Sequence, residues 1–229
     1  MTGCHPLDRP IWNMLTGRQA HLAEGDPRTA VRLDRGFGPF GAAADRSNEA
    51  QDALVAHIPT GGELYIVEGE AWPLPRGTQA VKRATLTQMV ADDAIENNHT
   101  AFDIVSLGAD NATEMAALAT HAEPGPWGPK AHLYGPFFGI REGNRLIAMA
   151  GQRMLMPGMA EVSGVATWAD CRGRGYAKAL IAHVMHEMRD RGEQPFLHSF
   201  ADNAGAIALY QSLGFHIRRE VHLLVIARA

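Results

Sequence analysis

The pattern that most constrains the fold of this chain is a long amphipathic helix that follows a basic, glycine-rich loop. Within residues 175–191 the apolar side chains recur at steps of three and one positions, which places them on one face of a helix. Gly192 comes next and is a typical helix-ending residue. Residues 161–168 before the loop and 196–200 after the helix are predicted as strands. A strand, a helix and a second strand in this order predict an α/β fold.

The loop before this helix has the composition of an anion-binding turn, Arg172-Gly173-Arg174-Gly175. The first N–H groups of a helix have no partner within the helix and carry about half a positive charge. Glycine lets the backbone approach an anion closely, and arginine adds charge in a bidentate geometry. The pattern predicts a pyrophosphate site, although a helix start with solvated arginines would have the same letters.

The remaining predicted elements are a mixture of helices and strands. Helices are predicted at residues 11–22, 49–58, 111–121 and 203–213, and strands at residues 64–67, 102–107, 137–141 and 146–154. Residues 80–89 fit either a strand or a short helix. Residues 36–44 are predicted as a loop, and their G-x-G-x-x-G letters are discounted because no strand precedes them. Residues 215–227 are predicted to close the chain as a hairpin.

Composition excludes several classes of protein. The 229 residues are 46% hydrophobic and 20% charged, which is typical of a globular domain and not of a disordered chain. The net charge of -4 gives no overall attraction to nucleic acid or to an anionic membrane. The sequence has no apolar run long enough for a membrane span and no apolar leader, and its two cysteines make no disulfide framework. We therefore expect a cytoplasmic protein whose partners are neither nucleic acid nor membrane.

Two motifs resemble the GNAT superfamily of N-acetyltransferases. Arg172-x-x-Gly175-x-Ala177 resembles the acyl-CoA-binding signature of that family. Residues 206–215 resemble its second hallmark, a helix that carries a tyrosine and ends in Leu-Gly-Phe. The two motifs occur in the family's order and spacing, and the resemblance covers residues 102–229.

The resemblance implies an α/β fold with a mixed, mostly antiparallel sheet, in which two central strands splay apart and helices flank the sheet. We accordingly expect a GNAT acetyltransferase domain at residues 99–229. Residues 1–98 are expected to form a smaller N-terminal α/β segment, to which the resemblance assigns no role.

The resemblance also implies which residues hold the cosubstrate, acetyl-CoA. The pantetheine arm is expected along the edge of the first splayed strand, at Val165, Ala166 and Thr167. The pyrophosphate is expected at Arg172, Gly173, Arg174, Gly175, Tyr176 and Ala177. Asn203 is expected to contact the cosubstrate as well, although it is equally a good N-cap for the helix that follows it. No metal ion is expected.

Two further side chains match catalytic positions of the family. Tyr210 matches the general acid that protonates the departing thiolate, a transfer that needs assistance because the free phenol has a pKa of about 10. Its alternative is a packed helix aromatic. Glu161 matches the general base of some members, and its alternative is an exposed carboxylate at the end of a strand.

The implied function is transfer of an acetyl group from acetyl-CoA to a primary amine by direct attack on the thioester. The acceptor is expected to be a small molecule or a peptide, and the oligomeric state is left open, with a homodimer as one option. A non-catalytic acyl-CoA-binding or regulatory module is the first alternative, and a domain for another nucleotide is the second.

Other side chains are weaker candidates. Cys171 is either a packed thiol or, beside two arginines, a reactive one. His198 is either a structural residue or a base that acts through water. Trp127 either lines an acceptor pocket or pins its proline- and glycine-rich loop. His183 and His186 share a predicted helix but lack a third metal ligand.

Overall fold

The computed structural model describes residues 5–92 and 102–229. Within these ranges the helices are α1 (Pro10–Leu15), α2 (Asn48–Ala56), α3 (Ala112–Ala122), α4 (Tyr176–Asp190) and α5 (Ala204–Gln211). The strands are β1 (Ala23–Asp26), β2 (Ala30–Leu33), β3 (Gly41–Ala43), β4 (Leu64–Glu68), β5 (Thr78–Val90), β6 (Ile104–Leu107), β7 (Phe137–Glu142), β8 (Arg145–Met156), β9 (Met159–Thr167), β10 (Gln194–Phe200) and β11 (His216–Arg228). None of the helices in this part of the chain is long and apolar enough to span a membrane.

The chain folds into two compact units, neither of which is one continuous stretch of sequence. The first unit comprises Met1–Gln88, His198–Asn203 and Arg218–Ala229, and the second comprises Met89–Leu197 and Ala204–Ile217. The C-terminal residues belong to the first unit because β11 pairs antiparallel with β4. The boundary expected between residues 98 and 99 lies outside the described residues and stays a prediction.

The first unit contains a hairpin, a capped helix and a strand ladder. β1 and β2 pair antiparallel, and the Thr29 N–H donates to the Asp26 carbonyl at 3.0 Å in the turn between them. α2 begins where the Ser47 hydroxyl accepts a hydrogen bond from the Ala50 N–H at 3.2 Å. The core of this unit contains Leu54, Ile58, Leu64, Ile66, Leu224 and Ile226. Removal of these side chains from water is the main force that holds the unit together.

The second unit contains the sheet that organises the candidate site. Its strand order is β10-β9-β8-β7-β6, antiparallel except for the parallel pair of β9 and β10. Ala148 and Ala150 of β8 belong to the core that includes α4, whereas Met149 between them belongs to the core that includes α3. Because successive side chains of a strand point to opposite faces, α4 and α3 cover the two faces of this sheet.

The face of α4 that the sequence pattern predicted is the face that is buried. Its buried apolar side chains include Leu180, Ile181, Val184, Met185 and Met188. At roughly 1.5–3 kcal/mol for each side chain fully removed from water, this packing fixes the position of the helix start.

A β-bulge interrupts β9 in the middle of the sheet. Between Ser163 and Ala166 the register with β8 shifts by one residue, so β9 has one extra residue there. Gly164 lies in the bulge with a φ of +63°, in the left-handed region that favours glycine. A Cβ at this position would come within 2.7 Å of the Phe137 ring, so the close packing also requires glycine.

The predicted mixed, mostly antiparallel sheet with flanking helices is confirmed, and residues 80–89 lie in a strand, β5. Three local predictions are wrong. The helix predicted at residues 11–22 ends at Leu15, and a Cβ on the nearby Gly17 would approach the Asn13 carbonyl oxygen to 2.5 Å. Residues 41–43 of the predicted loop form β3, and β1 and β2 were not predicted at all. The predicted C-terminal hairpin is one strand, β11, because this stretch has no glycine, proline or asparagine to make a turn.

Candidate active site

The loop between β9 and α4 has the backbone geometry of an anion-binding turn. Gly173 and Gly175 adopt φ values of +77° and +86°, which side chains other than glycine rarely tolerate. A Cβ on Gly173 would meet no atom within 4 Å among the described residues, so the loop faces open space. Gly175 is the N-cap of α4 and brings no side chain to cap the helix. The start of a 15-residue helix therefore lies beside an open, glycine-lined turn.

The two arginines of the loop differ in their partners. Arg174 donates to the Glu142 carboxylate at 3.0 Å and to the Asp170 carbonyl at 3.3 Å. Arg172 is exposed, and its guanidinium has no hydrogen-bond or ion-pair partner in the described part of the chain. An anion could therefore bind Arg172 directly, whereas binding to Arg174 would require it to displace the Glu142 carboxylate.

Tyr176 and Ala177 form the first turn of α4. The Tyr176 hydroxyl donates to Glu142 at 2.9 Å, and its ring lies edge-on to Phe102 with centroids 4.8 Å apart. These contacts fix the side chain of Tyr176, so only its backbone is placed to contribute to an anion site. The small side chain of Ala177 leaves the neighbouring surface of the helix uncrowded.

The two central strands separate shortly after they meet. β9 and β10 pair in parallel from Met159 opposite Gln194 to Glu161 opposite Phe196. Val165, Ala166 and Thr167, the predicted pantetheine edge, come after the last paired residue. The Thr167 hydroxyl is buried and lacks a hydrogen-bond partner in the described structure. The splay predicted for the central strands is therefore present.

Glu161 lies at the point where the strands separate, and it is fully buried rather than an exposed strand-end residue. The Arg153 guanidinium donates two hydrogen bonds to its carboxylate, from Nε at 2.7 Å and from Nη2 at 2.8 Å. Burial opposes the charge of Arg153, but the adjacent carboxylate outweighs it and raises the pKa of the guanidinium. Glu161 is therefore an ionised partner in a buried, bidentate pair.

Tyr210 lies on α5, partly buried against the core that includes α4. Its ring is edge-on to Phe215, with centroids 6.0 Å apart. Burial raises the pKa of Tyr210, and the negative charge of Glu161 raises it further. The phenol is therefore protonated at neutral pH and lies within electrostatic reach of Glu161. Asn203 belongs to the first unit and directly precedes α5, where its N–H donates to the Phe200 carbonyl at 3.0 Å.

A small pocket opens beside the bulge of β9. It is lined by Pro124, Gly125, Pro126, Trp127, Ala131, Tyr134, Phe137, Arg153, Ser163 and Gly164. The Trp127 ring stands edge-on to Phe137, with centroids 5.4 Å apart. The cavity volume is only about 10 Å³, room for about one water molecule. Trp127 lines this pocket and packs against Phe137 on its wall, and its role in an acceptor pocket stays a prediction.

Sequence reasoning missed Arg153 and Tyr134. Tyr134 is buried, and burial raises the pKa of its phenol. A signal for Arg153 was available, because it and Glu161 flank the turn at Pro157 and Gly158 at nearly equal distances along the chain. Opposite charges in that arrangement face each other across a hairpin.

The weaker candidates make packing or hydrogen-bond contacts with neighbouring residues. Cys171 is buried, and burial together with the Asp170 charge raises the pKa of its thiol, so the packed interpretation holds. His198 contacts the Gln88 amide at 3.0 Å. His183 lies edge-on to Phe138, with ring centroids 4.4 Å apart. The described ranges contain no group of three or more His, Cys, Asp or Glu arranged to hold a metal ion.

Comparison with known proteins places these features in a family. Residues 109–215 match the model of the acetyltransferase (GNAT) family. A crystal structure from Novosphingobium aromaticivorans DSM 12444, assigned to the GNAT acetyltransferases, is 44% identical with a TM-score of 0.91, and the match covers 99% of this chain and 100% of that one.

Two curated relatives match over shorter segments. The mycothiol acetyltransferase of Tsukamurella paurometabola is 32% identical over 124 residues, which is 45% of this chain and 42% of that protein. The ribosomal protein bS18-alanine N-acetyltransferase of Escherichia coli K12 is 33% identical over 89 residues, 37% of this chain and 60% of that protein. The matches thus span less than two thirds of either relative. Together with the full-length likeness to the Novosphingobium structure, they show that this chain belongs to the GNAT acetyltransferase family.

Proposed function

We propose that this protein transfers an acetyl group from acetyl-CoA to the nitrogen of a primary amine by direct attack. The observation that carries the proposal is the separation of β9 from β10 after Glu161, directly followed by the open glycine turn at the start of α4. A strand edge without its neighbour can pair with the amides of an extended ligand, and a helix start can hold the phosphates of the same ligand.

The residues around this turn fit the pyrophosphate of the cosubstrate. The first turn of α4 supplies backbone N–H groups, and Gly173 and Gly175 allow close approach. Arg172 supplies charge, and Arg174 can do so if it exchanges Glu142 for a phosphate. Val165, Ala166 and Thr167 supply the edge for the pantetheine arm. We keep Asn203 as a proposed contact of the cosubstrate.

Acetyl-CoA supplies a reactive carbonyl carbon and a sulfur leaving group, and the protein handles the protons. The acceptor arrives as an ammonium, and Glu161 is proposed to take its first proton. As the C–N bond forms and the C–S bond breaks, Tyr210 gives its proton to the sulfur. The nitrogen then loses a second proton, which restores the phenol through solvent. The sum is one amide, one thiol and one proton released.

The base role of Glu161 carries a structural condition. A carboxylate held by two hydrogen bonds from Arg153 is a poor proton acceptor, because both bonds favour its charged form. Glu161 can act as a base only when Arg153 has turned to another anion.

Release of free thiol from acetyl-CoA, measured against a panel of amines, tests the reaction class. Tyr210→Phe and Glu161→Gln are the informative variants, because a catalytic role predicts slower turnover with unchanged binding of coenzyme A. If coenzyme A binds and the wild type releases no thiol with any acceptor, the alternative of a non-catalytic acyl-CoA-binding module is favoured. Unchanged turnover in both variants would instead remove these two side chains from the mechanism. Thermal unfolding with acetyl-CoA, ATP or NAD identifies the nucleotide, since a ligand of the folded state raises Tm.

The names of the two curated relatives point to different acceptor classes. One names mycothiol, a small molecule, and the other names an alanine of a ribosomal protein. Both classes, a small-molecule amine and a peptide amine, therefore belong in the panel.

A further inference from the structure

Arg153 is the one charged side chain among the described residues that line the pocket beside the bulge of β9. Its partner Glu161 lies behind it, with a side chain 1% exposed against 14% for Arg153. A molecule that enters this pocket therefore meets a guanidinium before it meets the carboxylate.

We propose that the acceptor amine carries a carboxylate, and that Arg153 binds this carboxylate and selects the acceptor by it. The inference rests on the proposed acetyl transfer and names the chemical class of its second substrate. Guanidinium and carboxylate match each other in a planar, bidentate geometry, which is the geometry that Arg153 already makes with Glu161. An incoming carboxylate can thus replace Glu161 as the partner without leaving the arginine unpaired.

The exchange of partners has a consequence for Glu161. A buried carboxylate that loses its cation is destabilised, because its charge is no longer solvated or paired. Uptake of a proton neutralises the charge and removes this destabilisation. The ammonium group of the bound acceptor can donate this proton to Glu161. Binding of the acceptor carboxylate therefore turns Glu161 from an ion-pair partner into a base, and only for acceptors that carry the anion.

The walls of the pocket set the remaining requirements. Trp127, Tyr134 and Phe137 supply aromatic surface, which favours an apolar side chain on the acceptor. Gly125, in the loop at residues 124–127, lies beside the guanidinium, because a Cβ at this position would be 3.8 Å from Arg153 Nη1. The cavity of about 10 Å³ cannot hold an amino acid, so this loop has to move outward when the acceptor binds.

The test compares matched amines that differ only at the carboxylate. The probes are L-phenylalanine, L-phenylalaninamide and phenethylamine, together with L-alanine, L-alaninamide and ethylamine. Thiol release from acetyl-CoA gives kcat/KM for each, taken at the maximum of its own pH profile because the amines differ in pKa. The carboxamides also represent the N-terminus of a peptide. We expect the acids to exceed the carboxamides by about 10- to 100-fold, the ratio typical of a hydrogen bond to a charged group.

Variants of Arg153 separate recognition from structure. Arg153→Lys keeps the positive charge but loses the planar, bidentate guanidinium. We therefore expect kcat/KM to fall about tenfold or more for the acids and little for the carboxamides. The double variant Arg153→Gln/Glu161→Gln removes both charges, leaves neither side chain as an orphaned ion, and should abolish the preference for acids. Arg141→Lys is the matched control, because Arg141 on β7 also pairs with a carboxylate, that of Glu114 on α3.

The outcomes of these measurements support or overturn the proposal as follows. A preference for acids that disappears in both Arg153 variants and persists in Arg141→Lys supports the proposal. Equal or faster acetylation of carboxamides or simple amines by the wild type overturns it while the proposed acetyl transfer stands. If acetyl-CoA raises Tm and neither these amines nor the wider panel of small-molecule and peptide amines is acetylated, the proposed transfer fails and this inference falls with it.

Discussion

Arg153 and Glu161 face each other across the β8–β9 hairpin, joined by two hydrogen bonds of 2.7 and 2.8 Å. The pair is almost fully removed from solvent, with side-chain exposures of 14% for Arg153 and 1% for Glu161. A buried ion pair costs much desolvation energy, and replacement by neutral side chains is often neutral or stabilising. A pair of this kind at the mouth of a pocket therefore suggests a role in function in addition to one in folding.

The first prediction concerns the stability of this pair. Glu161→Gln leaves the buried Arg153 without a counter-charge, so the free energy of unfolding should fall by about 3–5 kcal/mol. The double variant Arg153→Gln/Glu161→Gln should lose clearly less, because no buried ion remains unpaired. Urea unfolding followed by circular dichroism measures both. A double variant less stable than Glu161→Gln would contradict the account of the pair.

The second prediction concerns Tyr210. Tyr210→Phe keeps the ring and its edge-on contact with Phe215 and removes the proposed acid. We expect kcat to fall by about 100-fold or more, with KM for acetyl-CoA within about twofold of the original. Steady-state kinetics with a saturating acceptor measures both constants. Unchanged kcat would remove the phenol from the mechanism and leave it as a packed aromatic.

The third prediction separates the two loop arginines. Arg172 is unpaired within the described residues, whereas Arg174 is bound to Glu142. Arg172→Ala should therefore raise KM for acetyl-CoA by about tenfold, and Arg174→Ala by less, because a phosphate has to compete for Arg174. The effect of Arg172 should weaken with added salt. Equal effects of both substitutions would indicate that Arg174 leaves Glu142 when the cosubstrate binds.

The fourth prediction concerns the bulge of β9. Gly164→Ala puts a side chain at a φ of +63° and within 2.7 Å of the Phe137 ring. Strain and overpacking together should lower the free energy of unfolding by about 2–4 kcal/mol. Gly158→Ala is the matched control, since Gly158 has a φ of +71° but no atom of the described residues within 4 Å of its Cβ position. Similar losses in both variants would show that backbone strain alone accounts for the effect.

Much of the second unit could be predicted because local pattern and tertiary structure agree there. The 3.6-residue period of α4 and the Gly-x-Gly turn before it both reflect constraints that act within a few residues. The separation of β9 from β10 followed from the family resemblance, since no local pattern encodes it. A glycine inside an apolar strand, such as Gly164, often indicates a bulge, but the bulge was not predicted from the sequence.

Other features depend on long-range contacts. β11 pairs with β4 from His222 to Ile226, and that partner is more than 150 residues away in sequence. The burial of Glu161 depends on Arg153 and on the hairpin register that brings the two together. A carboxylate without a cation would be expected at the surface, so its position could not be predicted until its partner was known.

The last prediction concerns pH and the first unit. The His57 ring contacts the Ala30 carbonyl at 3.3 Å, and burial lowers the pKa of His57. In the unfolded chain the pKa is about 6.5, so as pH falls below that value the unfolded state binds a proton that the folded state does not. The free energy of unfolding should therefore decrease as pH falls from about 6.5 to the lowered folded pKa, and change no further from this group below it.

Two more histidines act in the same direction, because burial also lowers the pKa values of His5 and His183. His57→Gln should reduce the loss of Tm between pH 7.5 and 5.5 by about 2 °C, a small effect because the ring is partly exposed and solvent screens its charge. His186→Gln, on the exposed face of α4, controls for the removal of a histidine as such. If Tm of the wild type is constant across this range, or if both variants change its slope equally, protonation at His57 does not limit the stability of the fold in weak acid.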